Sequence, residues 1–262
     1  MRHKTAALGV DAERRLSVID KVVLVGSGKG GVGKSFVSCG LALALARDSR
    51  RVALLDLDIH GASVPSYLGL RPPVSSGTDG LEPKAVGRLK VMSVGLFTGE
   101  KAVPMRGAEK QGLITQLFAM TNWGRLDYLV VDLPPSMSDE LLTAFGLFAA
   151  KSALVLVTTP SPHGMEVVVR MRALAKTEGI PVLGSVVNMA YLQDGAKRSH
   201  PFGEADRRLL EESLDSPILA EIPLVQELNS GGLPEVLRRN GAARAFGQLL
   251  PKVLRWRPTP AG

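Results

Sequence analysis

The chain has one cysteine, Cys39, among its 262 residues, which excludes an intramolecular disulfide framework and fits a reducing compartment. Aromatic residues make up only 5% against 45% hydrophobic, so the core has to be built from Val, Leu and Ala. No apolar run approaches the roughly 18 residues that cross a bilayer. The opening, Met1 to Leu16, is charged throughout, so a soluble, cytoplasmic protein is expected. His163 and His200 stand alone in loop-like sequence, without a second His or Cys at ligand spacing, and read as surface residues. There is no internal repeat, low-complexity tract or linker. One domain over 17–257 is expected, between a flexible segment 1–16 and a disordered tail 258–262. Lys and Arg total 32 against 25 acidic residues, a net +7 that attracts anions without saying which, so nucleotide, nucleic acid and anionic lipid all fit.

What is present is an alternation of strand and helix patterns. Strands are predicted at Lys21–Val25, Val52–Leu55, Leu89–Val94, Tyr128–Val131, Ala153–Val157, Val182–Val187 and Ile218–Ile222. Several of these runs are apolar throughout, the pattern of strands covered on both faces, which predicts a mainly parallel, doubly wound α/β sheet.

The first strand runs into Gly28-Lys29-Gly30-Gly31-Val32-Gly33-Lys34-Ser35, and Phe36 follows on a helical run reaching Ala46. Strand, G-x-x-x-x-G-K-[ST], helix is the phosphate loop of P-loop NTPases. Small residues let backbone N–H groups turn around phosphate oxygens, and the helix opens beneath the anion. Lys34 is expected to reach the β- and γ-phosphates, and Ser35 to offer its hydroxyl to Mg²⁺. Val37, Leu41, Ala44 and Leu45 form a stripe that should pack the helix on the sheet, and Cys39 on the same helix reads as a packed core thiol.

Ligands of such sheets sit at the carboxyl ends of the strands. There the sequence places Asp56-Leu57-Asp58, Asp132 and Asn188. Asp132, after an apolar strand, is placed as the carboxylate that holds a water of the Mg²⁺ shell. Asp58 is assigned to the attacking water and Asp56 to support of the Mg²⁺ shell, although turn chemistry uses the same residues. Ser138, Asp139 and Glu140 read as a helix cap with first-turn acids.

Taken together, S-G-K-G-G-V-G-K-S, D-L-D-I-H-G-A-S-V-P-S-Y-L-G-L, M-R-G, D-Y-L-V-V-D-L-P-P, V-V-N-M-A-Y and A-E-I-P-L occur in the order and approximate spacing of Mrp/ApbC ATPases. The chain resembles that family from its first strand to about Pro234. Its loop is similar to the deviant Walker A of the MinD, ParA and Mrp branch, marked by the second lysine, Lys29. The resemblance implies slow ATP hydrolysis with Mg²⁺, a homodimer bridged by nucleotide, and work with iron-sulfur clusters for a client or scaffold protein. It assigns Gly30 to Ser35 to phosphate and Mg²⁺, Lys29 to the dimer partner's nucleotide, Asp58 to hydrolysis, Asp132 to the switch and Asn188 to adenine.

The chain departs from the family twice. Cluster carriers usually have C-x-x-C soon after the N-M-S-Y element, whereas Tyr191 to Phe202 contains no cysteine. Ser136-Met137-Ser138 also replaces Gly-Thr-Gly after the prolines, a change that bears on switch flexibility and turnover. The rival reading is a MinD-like membrane or partition regulator. Its support is the basic amphipathic end, in which Arg238, Arg239, Arg244, Lys252, Arg255 and Arg257 alternate with apolar residues such as Phe246, Leu249, Leu250 and Trp256. Pro251 interrupts that stretch, and a terminal helix packed on the domain, without membrane contact, is the expectation.

Overall fold

A computed structural model describes residues 2–98, 107–135, 137–194, 197–204, 206–225, 232–239 and 242–258. Met105, Arg106, Ser136 and residues 259–262 lie outside the described residues, as do the side chains of His163, Arg238 and Arg239. In chain order the elements begin with α1 (Arg2–Ser17), β1 (Ile19–Gly26), α2 (Lys34–Arg47), β2 (Val52–Asp56) and α3 (Val64–Leu68). A small hairpin, β3 (Ser75–Gly77) and β4 (Gly80–Glu82), leads to β5 (Lys84–Val86), β6 (Leu89–Ser93), α4 (Gly95–Thr98), α5 (Gly107–Met120) and β7 (Leu126–Asp132). Next come α6 (Asp139–Phe148), β8 (Ser152–Thr158), α7 (Pro162–Thr177), β9 (Val182–Val187) and a second hairpin, β10 (Leu192–Asp194) with β11 (Lys197–Ser199). The chain closes with α8 (Arg207–Leu214), β12 (Ile218–Glu221), α9 (Leu233–Arg239) and α10 (Ala242–Arg255).

Eight strands form one sheet in the order β12-β9-β8-β1-β7-β2-β6-β5, parallel except for the edge strand β5, which runs antiparallel to β6. The sheet is doubly wound, and side chains of each strand feed opposite faces in turn, as the two-residue period requires. Val22 and Leu24 point into a cluster with α5, α6 and α7, whereas Val23 and Val25 join one with α2, α3 and α10.

Three expectations change. The segment expected to be flexible over 1–16 is the helix α1, anchored by buried Ala12 and by Arg15, whose guanidinium donates to the carbonyls of Ala119 (3.2 Å) and Asp79. Lys151 donates to the carbonyls of Leu16 and Ile19 (3.1 and 2.8 Å) and fixes the exit of that helix. Part of its hold comes from side chains reaching distant backbone carbonyls, which no local apolar pattern reveals. The second change concerns α2, which is buried nearly all round because α10 covers the side turned away from the sheet. A Cβ on Gly40 would come within 2.0 Å of the Phe246 ring, so this crossing needs glycine. Third, Ser138 precedes α6 in an extended conformation, but its hydroxyl accepts no helix N–H, and Glu140 is buried and paired instead of serving only the dipole.

The basic stretch at the end is α10, with Ala242, Ala245, Phe246, Leu249 and Val253 buried. Lys252 donates to the Ile218 carbonyl at 3.2 Å. Its apolar face is therefore spent on the chain's own core. Among the described residues no helix is long and apolar enough to cross a membrane.

Candidate functional site

Between β1 and α2 the chain turns sharply at Gly31 and Gly33, both at φ +80°, a conformation that side chains with a Cβ resist. At Gly33 a Cβ would also lie 2.1 Å from the Asn188 amide nitrogen. That amide donates to the Val32 carbonyl at 2.9 Å, so the end of β9 braces the loop. The loop and the start of α2 wall a cavity of about 340 Å³, with Asp58, Tyr67 and Pro135 on its other sides. Free N–H groups at the start of α2 face this loop, and together they form an anion cradle.

Beneath it lies a buried charged cluster. Asp132, fully buried at the end of β7, accepts hydrogen bonds from Ser35 (2.6 Å) and Ser38 (2.7 Å) and pairs with the Lys34 ammonium at 2.8 Å. Burial works against the Lys34 charge, but Asp132, with Asp56 and Asp58 beyond it, more than offsets this and holds its pKa above that of free lysine. Asp56 stands beside Asp132 in the parallel register of β2 and β7. Desolvation, then the Asp132 charge, raise the Asp56 pKa to about 7, partly offset by Lys34 and by hydrogen bonds from Ser93 (2.8 Å) and the Asp58 amide (3.0 Å). Asp58, at the rim, accepts from the Gly61 amide at 2.9 Å through one carboxylate oxygen.

Most of the expected residues meet here. Lys29, Gly30, Gly31, Gly33, Lys34, Ser35 and Asp58 line the cavity. Gly28, Val32 and Phe36 do not. Gly28 is pressed against Val167, Val32 turns its side chain into the core, and Phe36 lines a smaller neighbouring nook with Asn188, Tyr67 and Pro223. Asp56 is not on the wall either; it accepts from Ser93 and the Asp58 amide and braces the Asp58 loop from below. Ser35 and Asp132 are hard oxygen donors 2.6 Å apart beside the phosphate cradle, a set that suits Mg²⁺. Among the described residues no group of three or more His, Cys, Asp or Glu side chains comes together as a metal site. Mg²⁺ ordinarily needs no such cage, taking one or two protein oxygens with phosphate and water.

Cys39 is fully buried on α2, and its thiol is pushed well above its ordinary pKa by desolvation and then by Asp132 and Asp56. Such a thiol is protonated and closed to ligands. His200 bonds the Ala190 carbonyl through Nδ1 (3.1 Å) in the hairpin region. Three contributors escaped the sequence reading: Ser38, Ser93 and Tyr67. Ser38 carried a signal, because three residues beyond Ser35 on a helix it shares the same face. Ser93, at the end of a neighbouring strand, and Tyr67, on α3, carried none.

The family described as ParA, NUBPL iron-transfer P-loop NTPase, matches residues 18–244. An iron-sulfur cluster carrier protein of Saccharolobus solfataricus is 34% identical, over 97% of this chain and 90% of its own length. The iron-sulfur cluster transfer protein NUBPL of Mus musculus is 33% identical, over 97% of this chain and 83% of its own. Among solved structures, a nucleotide-binding protein from Archaeoglobus fulgidus in complex with ADP superposes with a TM-score of 0.71 at 29% identity, covering 96% of this chain and 97% of that one. The septum site-determining protein MinD of Pyrococcus horikoshii, complexed with Mg-ADP, gives 0.66 at 20% identity over 90% and 96%, a likeness of fold.

Proposed function

The chain belongs to the ParA family of NUBPL-type iron-transfer P-loop NTPases, and we propose that it is a Mg²⁺-dependent ATPase acting as a nucleotide-bridged homodimer in iron-sulfur cluster handling. The observation that carries the reading is the buried Lys34–Asp132–Ser35 cluster under a glycine loop, which places a cation, a carboxylate and a hydroxyl at one phosphate cradle.

In this reading the loop amides and the Lys34 ammonium take the β- and γ-phosphate oxygens, while Ser35 and Asp132 would hold Mg²⁺. Mg²⁺ held there would supply positive charge that offsets the negative charge of the phosphate oxygens. Asp58 orients the attacking water. One of its oxygens is held by Gly61, which leaves the other to accept the water's proton-bearing side. Lys29, on the open wall of the cavity, extends to the nucleotide of the second subunit. Asn188 spends one amide N–H on Val32, which leaves its second N–H and its carbonyl oxygen to pair with N7 and the N6 amino group of adenine, a pattern that matches guanine poorly.

Cluster handling by this chain proceeds without a thiolate pair of its own. A homodimer offers only two Cys39 thiols, both buried, where a four-iron cluster ordinarily takes four thiolates. Ligands then come from a client or scaffold protein. The MinD-like membrane reading is weakened by α10, whose apolar face is packed on α2 and β12. The test is phosphate release from Mg-ATP by the purified protein, expected to be slow and to vanish with chelation of Mg²⁺. No release above the buffer rate would overturn the ATPase reading.

A further inference from the structure

The loop that carries Asp58 is tied down in steps. Leu57 donates its amide to the Asp132 carbonyl (3.0 Å), Asp58 donates its own to Asp56, and Gly61 donates to Asp58. These bonds hold the base of the loop to the ends of β2 and β7. Its apex gains a tie to a different layer through His60, whose Nε2 lies 2.7 Å from the Lys110 ammonium on α5. Lys110 is in turn 3.2 Å from the Glu140 carboxylate in the first turn of α6, the helix that follows Asp132 and the two prolines. Both members of that pair are largely enclosed, at 18% and 12% exposure. Desolvation pushes the Glu140 pKa up, but hydrogen bonds to its carboxylate, Lys110 among the donors, outweigh it and leave the group ionised.

The chemistry of the chain of contacts is directional. An ammonium has only donors, so Lys110 donates to both neighbours and Nε2 of His60 accepts. Glu140 fixes the ammonium, and the ammonium fixes the ring two residues beyond Asp58. The three residues come from three elements separated by 50 and 30 positions, and none belongs to the phosphate loop or the Asp132 motif.

We propose that Lys110 is a positioning residue for hydrolysis: held by Glu140, it grips His60 and thereby sets the Asp58 loop against the segment that leads from Asp132 into α6. An ion pair of this exposure adds little to stability. Its weight falls on turnover, because a water misplaced by about an ångström costs up to roughly a hundredfold in rate. The inference rests on the hydrolytic reading of Asp58 given above.

The test compares Lys110→Met, His60→Ala, the double variant and Lys110→Arg for kcat, KM and Mg-ATP affinity by calorimetry. Each single change is expected to lower kcat about tenfold, with ATP affinity within about twofold. The double should be no worse than either single, since both break one contact. Lys110→Arg, which keeps a cationic donor, should retain most of the rate. A wild-type kcat in Lys110→Met, single losses that multiply in the double, or a fall in ATP affinity matching the fall in kcat would each overturn the proposal. No phosphate release by the wild-type protein would instead overturn the ATPase reading, and this inference with it.

Discussion

The phosphate loop and the hairpin after β9 follow strands at the same end of the sheet, two strands apart, and are built in opposite ways. At the loop, one fully buried carboxylate, Asp132, holds an ammonium and two hydroxyls within 2.8 Å, on backbone fixed by the central strands. At the hairpin, β10 and β11 are three residues each and mostly exposed. They are held by Arg198, which donates to Gln193 (3.1 Å) and stacks 4.3 Å over the Tyr191 ring. A charge in a low-dielectric setting forces its neighbours to be complementary, because an unpaired one costs several kcal/mol. A solvated hairpin imposes no such condition. Residues at the loop are thus tied to the fold, while residues at the hairpin can be exchanged at little cost to it.

Breaking the loop side gives the largest effects. Lys34→Ala removes the cation from both phosphate and Asp132, so Mg-ATP binding measured by calorimetry should fall beyond about a hundredfold. Denaturant unfolding should show a loss of about 3–5 kcal/mol from the unpaired carboxylate. Unchanged affinity would contradict the cradle. Asp58→Asn keeps the fold and the ATP affinity while slowing phosphate release by roughly a hundredfold, since a group that orients water acts in the transition state. Equal losses of binding and turnover would make Asp58 structural. Lys29→Ala should weaken ATP-driven dimerisation about tenfold or more with monomer binding mostly intact. Light scattering that gives one mass with and without ATP, in protein that is not already dimeric, would refute the shared site. The smallest effect sharpens the other side of the comparison: Arg198→Ala should change stability by no more than about 0.5 kcal/mol and leave ATP turnover as it was.

The same contrast governs what the sequence disclosed. The central strands were legible because burial on both faces turns them into unbroken apolar runs such as Val22 to Val25 and Leu129 to Val131. That Lys34, Ser35 and Asp132 meet was legible because the glycine-loop pattern and the strand-end carboxylate sit at fixed spacing from those strands. The edge strand β5 was not, having three residues, Lys84–Val86, and a single partner. Nor was α1, whose hold depends on Arg15 and Lys151 reaching backbone carbonyls more than 100 positions away. The partners of Asp56 were illegible for a related reason. Its spacing from Asp58 pointed to support of the Mg²⁺ shell, while its donors are Ser93 from β6 and the Asp58 amide, and no local pattern announces a hydroxyl 37 positions distant.

Cys39 is the single cysteine of the chain, and anaerobic reconstitution with iron and sulfide followed by Mössbauer spectroscopy tests most directly whether the protein holds a cluster by itself. Wild-type protein and Cys39→Ser are compared after confirming that both hydrolyse Mg-ATP alike. The prediction is no stoichiometric cluster on either homodimer, because Cys39 is sealed in α2 with its thiol protonated. A stoichiometric four-iron cluster on the wild type that disappears in Cys39→Ser would contradict it.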